Sequence, residues 1–569
     1  MLIKKLQQEI GKVVKAHWQL AAEDVEITAP KELWQGDFTT NVALKVAARW
    51  GVPTSQITDT LVGELVQSKF IRQHFAKVEP AGPGFVNFFL SSEALYHELI
   101  NQSKTAVFPL YRGKKIVIEY SSPNIAKPMH IGHLRSTIIG QALVNIYKAL
   151  GAKVVSLNYL GDWGTQFGKL LVAYQKWGSK VNLKKNPINE MLRVYVYFHE
   201  QVTKHPELEK EAQIAFRKLE DGNPKLQSIW RLFKTFSLKE FNKLYQRLGI
   251  KFDHFESESL YQKALIGVLK DLIKQKIVTK NPDGSIVVIF DNEKLPAMLV
   301  QKSDGASLYS TRDLSALRSR VSKYKPWLML YVVGSEQSLY FDQLFATAEL
   351  ARYAGKTKPQ HIKFGFIFGE DGKKMATREG KIVKLEELFN KSVDLAWRVV
   401  QKKNPKLSPV EKTTAAEAIG VGAIKYNDLS QNRLTDIVFN WNKMLSFSGN
   451  SGPYLQYTYV RLKSILAKAG KITTIKFDSH YLEDNDLQLL RKLVQYQDAL
   501  TRSAQENFPH LLANYLYELA NTVNFYYHES PVLKASGPLR FLRLDLVQKS
   551  ALILKQGLAI LGIETVERM

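Results

Sequence analysis

Apolar residues recur at helical spacing from Leu2 to Trp18, with lysines between them, and this pattern predicts an amphipathic N-terminal helix. Strand-like runs follow, the clearest being Phe85-Val86-Asn87-Phe88-Phe89-Leu90, introduced by the turn signal Gly82-Pro83-Gly84. Residues 1–110 therefore read as a small α+β domain. At Lys114 the pattern changes: Ile116-Val117-Ile118 predicts a short buried strand, and a Pro-containing loop comes next. From Gly132 a helical period carries Leu134, Ile138, Leu143, Ile146 and Leu150 up to the stop signal Gly151. Val154-Val155-Ser156-Leu157 makes a second strand. Strand, loop, helix, strand is the order of a right-handed βαβ unit, and it puts a ligand crevice at the carboxyl end of the first strand, over Ser121 to His133.

From about 185 to 250 the chain is helical and heavily charged. Strand signals then resume at Ile286-Val287-Val288-Ile289-Phe290, at 328–333 and at 364–368, so a helical insertion within one α/β domain spanning 111–440 is the simplest account. Beyond about 440, helical periods with few strand runs predict an all-α bundle over 441–569. No repeat at a solenoid period and no low-complexity tract is present.

At 569 residues the chain is long enough for two to four domains. Its formal charge of +25 calls for a polyanionic partner. The absence of Cys removes disulfide frameworks, thiolate nucleophiles and Cys-based zinc sites. There is no apolar run long enough for a membrane span, and the N-terminus has neither a signal-peptide apolar core nor the Arg of a transit peptide, so a cytoplasmic protein without a membrane partner is expected.

The most informative segment is Ser121-Ser122-Pro123-Asn124-Ile125-Ala126-Lys127-Pro128-Met129-His130-Ile131-Gly132-His133, between a buried strand and a helix start. Unpaired N–H groups and the helix dipole favour phosphate there, and Gly132 lets a flat base approach the backbone. The two imidazoles can donate hydrogen bonds to phosphate oxygens as charge shifts in a transition state. No third ligand stands near them, so no metal site is expected. A second segment, Gly369-Glu370-Asp371-Gly372-Lys373-Lys374-Met375-Ala376-Thr377-Arg378-Glu379-Gly380, reads as a polar loop between a strand and a helix. Cations on a loop that closes can stabilise departing pyrophosphate.

Together these segments resemble the HIGH and KMSKS signatures of class I aminoacyl-tRNA synthetases. Ser122 to Pro128, Leu134-Arg135-Ser136-Thr137-Ile138-Ile139-Gly140, Asn158 to Gly168, Tyr309 to Leu314 and Gly452 to Tyr457 are similar to strings of the arginyl-tRNA synthetase family, over essentially the whole chain. The resemblance implies an α+β N-terminal domain, an α/β Rossmann-like class I catalytic domain with a helical insertion, and an all-α C-terminal anticodon-binding bundle. It also implies activation of L-arginine with ATP to arginyl-adenylate, then transfer to the terminal adenosine of tRNA(Arg). Mg2+ would accompany the ATP, and no tightly bound cofactor or protein nucleophile is needed. A monomer is expected.

By the same resemblance, His130, His133, Lys127 and Lys374 carry catalysis, and Pro123, His130, Gly132, His133, Lys374, Met375 and Arg378 contact ATP. The signature's second lysine is replaced by Thr377, with Ala376 and Arg378 beside it; Lys127, Lys374 and Arg378 are the candidates for the missing cation. Arginine presents a planar fork of five N–H donors, which a selective pocket meets with carboxylates. Tyr309 and Asp313, at i and i+4 on one helix, and Glu258, with Glu256 two residues away, are the implied side-chain contacts; Asn124 and Gln337 hold the backbone end. Tyr454, Gln456 and Arg461 are the implied tRNA contacts, and the N-terminal domain meets the outer corner of the tRNA.

Overall fold

The computed structural model describes residues 2–28, 30, 35–104, 107–178, 182–183, 185–291, 295–303, 308–369, 372, 383–470 and 477–569. Two units emerge. One comprises Met1–Ala106, Arg461–Gln497 and Glu518–Leu554; the other comprises Val107–Val460, Asp498–Tyr517 and Lys555–Met569.

The larger unit is built on five parallel strands: β1 (Lys115–Glu119), β2 (Lys153–Leu160), β3 (His254–Ser257), β4 (Leu328–Tyr331) and β5 (Lys358–His361), in the order β5-β4-β1-β2-β3. The inner strands β1 and β4 are apolar runs buried along nearly their whole length, as strands covered on both faces must be. Both edges are polar, His-Phe-Glu-Ser in β3 and Lys-Pro-Gln-His in β5, because each pairs on one side only. Helix α1 (Ile131–Ala149) crosses from β1 to β2, as the βαβ reading predicts, and Gly151 follows it at φ +86°.

Between β2 and β3 lies the expected insertion. Helices Pro187–Val202, Glu207–Glu220 and α2 (Pro224–Arg247) pack on Thr165–Trp177 around Leu171, Met191, Phe198, Leu219 and Phe233. Val117, Leu157 and Met329 of the sheet pack against Leu314 and Leu317 of α3 (Tyr309–Tyr324) and Phe341 and Leu344 of α4 (Ser338–Leu350). Two strand expectations are corrected. The run at Ile286 joins Val278–Lys280 and Met298–Gln301 in a separate antiparallel sheet, and of 364–368 only Ile367–Phe368 is strand, paired with Ile437–Val438.

The smaller unit has an antiparallel sheet in the order Ile27–Thr28, Phe38–Thr40, Phe85–Leu90, Phe75–Ala81, backed by helices that include Leu2–Trp18 and Thr54–Leu65. Buried Leu6, Ile10 and Val14 are the apolar stripe of the first helix. Its C-terminal segments are helical, with Arg543 held by Asp486 at 3.1 Å. Among the described residues no strand follows Val438, and no helix is long and apolar enough to cross a membrane.

Candidate active site

The loop leaving β1 is strained. Ser121, Ser122 and Ala126 all hold positive φ, at 74°, 48° and 62°, a region L-residues avoid and one that clusters at functional sites. Hydrogen bonds from distant elements hold it there. Ser121 N–H donates to Ser136 Oγ at 2.8 Å, and Ser136 Oγ donates to Val332 O at 2.7 Å. The Ser121 and Tyr245 hydroxyls meet at 2.7 Å, and Ala126 N–H donates to Ser237 Oγ at 2.8 Å, both partners lying on α2. Pro123 O accepts from Gly161 N–H and Gly161 O accepts from Ile125 N–H, so the loop extends the sheet beside β2. A Cβ at Gly161 would sit 1.9 Å from Asn124 Oδ1, so a larger residue there would push the Asn124 side chain aside.

His130 caps α1 and His133 stands in its first turn. Gly132 N–H donates to His130 Nδ1 at 3.1 Å, and His130 N–H donates to His133 Nδ1 at 3.2 Å; the rings are 4.1 Å apart. With both Nδ1 atoms used as acceptors, each neutral imidazole carries its proton on Nε2 and can donate it. Neutrality is built in. Burial holds His133 down at about 3, and burial with the Lys127 ammonium lowers His130. Glycine at 132 leaves the His130 ring its place, since a Cβ would fall 2.9 Å from it. Lys127 Nζ lies 5.4 Å over the Tyr195 ring and 3.5 Å from Gln166 Oε1. Lys374, Met375 and Arg378 lie outside the described residues, but the chain just after them runs antiparallel to the first signature. Ile131 N–H donates to Val383 O, and Leu385 N–H to Met129 O.

At the same carboxyl edge of the sheet, where β3 ends, the two acids divide. Glu256 is buried and accepts from Arg320 Nε at 2.8 Å, from Tyr261 at 2.7 Å and from Tyr324 at 3.2 Å. Glu258 has a buried Oε2 with no hydrogen-bond partner, and burial pushes its carboxyl up to about 8, against the Arg312 guanidinium and with Asp313 and Asp162 adding to it. The segment is fixed by Asp162, which takes Ser259 N–H at 2.9 Å and Lys234 Nζ at 2.8 Å. Asp313, in the first turns of α3, accepts from the Tyr340 hydroxyl; burial raises it, opposed by Tyr340 and Arg320. Tyr309 is half-exposed at the start of α3, with Arg312 4.9 Å over its ring and Glu258 and Asp313 among its electrostatic neighbours.

Glu258, Tyr309 and Asp313 thus lie within electrostatic reach of one another and form one acidic cluster. Asn124 and Gln337 are exposed on loops after β1 and β4, at that same edge. Tyr159, Tyr340 and the buried set Glu119, Arg312 and Arg320 were not legible as pocket residues, since only long-range packing puts them there. Among the described residues no three His, Asp or Glu side chains form a metal-binding group.

Of the candidate tRNA contacts, Tyr454 is partly exposed with its ring 5.9 Å from Tyr517, and Arg461 bonds Asn524 at 2.5 Å and lies 5.3 Å over Tyr527. Gln456 is corrected: it is fully buried and donates to Ala418 O and Glu564 O, which makes it a packing residue.

Comparison with known proteins agrees with this geometry along the whole chain. Residues 1–90 match the arginyl tRNA synthetase N terminal domain, 95–441 match tRNA synthetases class I (R), catalytic domain, and 455–569 match the DALR anticodon binding domain. The arginine–tRNA ligase of Clostridium perfringens is 38% identical over 570 residues, covering 98% of this chain and 99% of its own. That of Halothermothrix orenii is 39% identical over 516 residues, 90% of each. The solved arginyl-tRNA synthetase of Thermus thermophilus superposes with a TM-score of 0.84 at 25% identity, covering 100% of both chains. With three domains matched in order and an acidic cluster at the same sheet edge as a strained, imidazole-flanked loop, the chain belongs to the arginyl-tRNA synthetase family of class I aminoacyl-tRNA synthetases.

Proposed function

We infer that this chain is an arginine–tRNA ligase whose described active-site residues act as follows. It activates L-arginine with ATP to arginyl-adenylate and pyrophosphate, then transfers the arginyl group to the 3′-terminal adenosine of tRNA(Arg). One observation carries the assignment of roles: Glu256 is neutralised by Arg320 while Glu258, two residues on, keeps a buried oxygen without a partner. Glu258 and Asp313 take the arginine guanidinium, Tyr309 covers it, and Asn124 and Gln337 hold the amino and carboxylate end. The unsatisfied acidic cluster supports this reading, because buried polar atoms without partners are rare unless a ligand completes them.

ATP lies over Pro123, Gly132 and the start of α1. His130 and His133 donate from Nε2 to phosphate oxygens as the arginine carboxylate attacks the α-phosphorus in line; Lys127 and Lys374 stabilise the departing pyrophosphate, and Met375 and Arg378 belong to the same closing loop. Mg2+ arrives with ATP as part of the substrate. Tyr454 and Arg461 contact tRNA within a bundle assigned to residues 441–569, the N-terminal domain 1–110 meets the tRNA corner, and the +25 charge supplies the non-specific attraction. The enzyme works as a cytoplasmic monomer.

Arginine-dependent ATP–pyrophosphate exchange, run with and without tRNA and with each other amino acid as control, tests the reading. Exchange with arginine alone is expected; exchange with a different amino acid, or none from protein that still binds tRNA, would overturn it.

A further inference from the structure

Arg320 is itself a bound guanidinium. Its Nε lies 2.8 Å from Glu256 at the end of β3, its Nη1 bonds Glu119 at the end of β1, and its planar head lies 4.7 Å from the centre of the Tyr159 ring. Two carboxylates and one aromatic face are what a planar cation requires. On the same helix, seven residues earlier, Asp313 begins a second acidic site with Glu258, where the Arg312 guanidinium and the Tyr340 hydroxyl are the facing groups.

Tyr159 belongs to both. It is the penultimate residue of β2, in register with Glu256 on β3, and its ring is partly exposed while its hydroxyl is buried. That hydroxyl lies against Asp313, to whose carboxylate it can donate, and Arg320, Glu258 and Glu119 also bear on it. Asp313 already spends one oxygen on Tyr340. Two carboxylates with one oxygen committed leave a fork of five N–H donors short of acceptors, whereas they are enough for the three donors of a lysine ammonium.

We propose that Tyr159 is a specificity-determining residue of the arginine pocket, its hydroxyl oxygen accepting one N–H of the bound guanidinium while its ring rests on the resident guanidinium of Arg320. The proposal rests on the assignment of Asp313 and Glu258 to arginine. A third acceptor beside two acids rewards a planar fork over a point charge. A hydroxyl that donates to Asp313 keeps its lone pairs for the substrate.

Tyr159→Phe keeps the ring over Arg320 and removes only the oxygen. In tRNA-supported exchange we expect KM for arginine to rise about tenfold, with KM for ATP and kcat within about twofold of the parent. The Tm of the arginine-free protein should fall by no more than about 3 °C, while the Tm increase produced by saturating arginine shrinks. Asp313→Asn runs beside it. If Asp313→Asn leaves KM for arginine unchanged, the pocket assignment itself is wrong. If Asp313→Asn raises it and Tyr159→Phe does not, the pocket stands and Tyr159 is only a wall. A larger fall in free-state Tm with KM for arginine and ATP rising together would also overturn the proposal, since that marks a structural role.

Discussion

Glu256 and Glu258 stand two residues apart and have opposite commitments, one buried in an ion pair with Arg320 and the other ending in an oxygen without a partner. Glu258→Gln should therefore act on substrate, raising KM for arginine by roughly 10- to 100-fold, the worth of one charge-assisted hydrogen bond. Glu256→Gln should act on the fold, removing one of the two carboxylates that hold the buried Arg320 guanidinium while Glu119 remains, and costing about 1–3 kcal/mol. Urea denaturation and exchange kinetics on the same two proteins separate the effects.

A pH dependence follows from Glu258. Its carboxyl titrates near 8 in the free protein because burial disfavours the anion, and only the anion attracts a guanidinium. Arginine binding should tighten as pH rises from about 6.5 to 8 and level off above, with proton release on binding below that point. The free protein should lose stability over the ascent from about 4.5 to 8, since the native state there holds a proton the unfolded chain has released. Calorimetric titration at two pH values in buffers of different ionisation enthalpy measures the released proton, and Glu258→Gln should abolish it.

The histidines should show no such dependence. His133 is held near 3, so it stays neutral through the working range, and burial beside the Lys127 ammonium lowers His130 as well. At saturating arginine, single-turnover adenylate formation should lack an acid limb at or above the ordinary imidazole value of about 6.5. Replacing either ring by Ala should reduce that rate by roughly 100- to 1,000-fold, with a smaller change in ATP affinity. An acid limb in that range that vanishes in His130→Ala would contradict this protonation assignment.

Arg135 lies on α1 two residues after the first signature, fully buried, with Asp428 at 3.3 Å and Thr435 O at 2.9 Å. Arg135→Met leaves a buried carboxyl without its cation and should cost about 3–5 kcal/mol; adding Asp428→Leu should recover much of that, because a buried pair is worth little against an apolar replacement. Chemical denaturation of the two single variants and the double gives the cycle.

The central strands were legible because Ile116 to Glu119 and Leu328 to Tyr331 are runs that only burial on both faces explains. His254–Ser257 and Lys358–His361 carry no such pattern; they are strands because a neighbour offers an edge. The run at Ile286 shows the converse, since an apolar stretch specifies burial and not which sheet provides it. Within the site, His130, Gly132 and His133 were readable as a local string whose spacing is its chemistry. Tyr340 and Arg320 were not, as their partners Asp313, Glu119 and Glu256 are far away in sequence. Gln456 misled for the same reason: its carbonyl acceptors at Ala418 and Glu564 are set by tertiary packing.

The strained loop after β1 takes its shape from Tyr245 and Ser237, on a helix more than a hundred residues downstream. Ser121 also has Ser136 on α1, but the N–H of left-handed Ala126 meets its acceptor only when that helix arrives. During synthesis the turn after β1 is therefore translated long before the last of its hydrogen-bond partners, and it completes its form only once α2 has emerged.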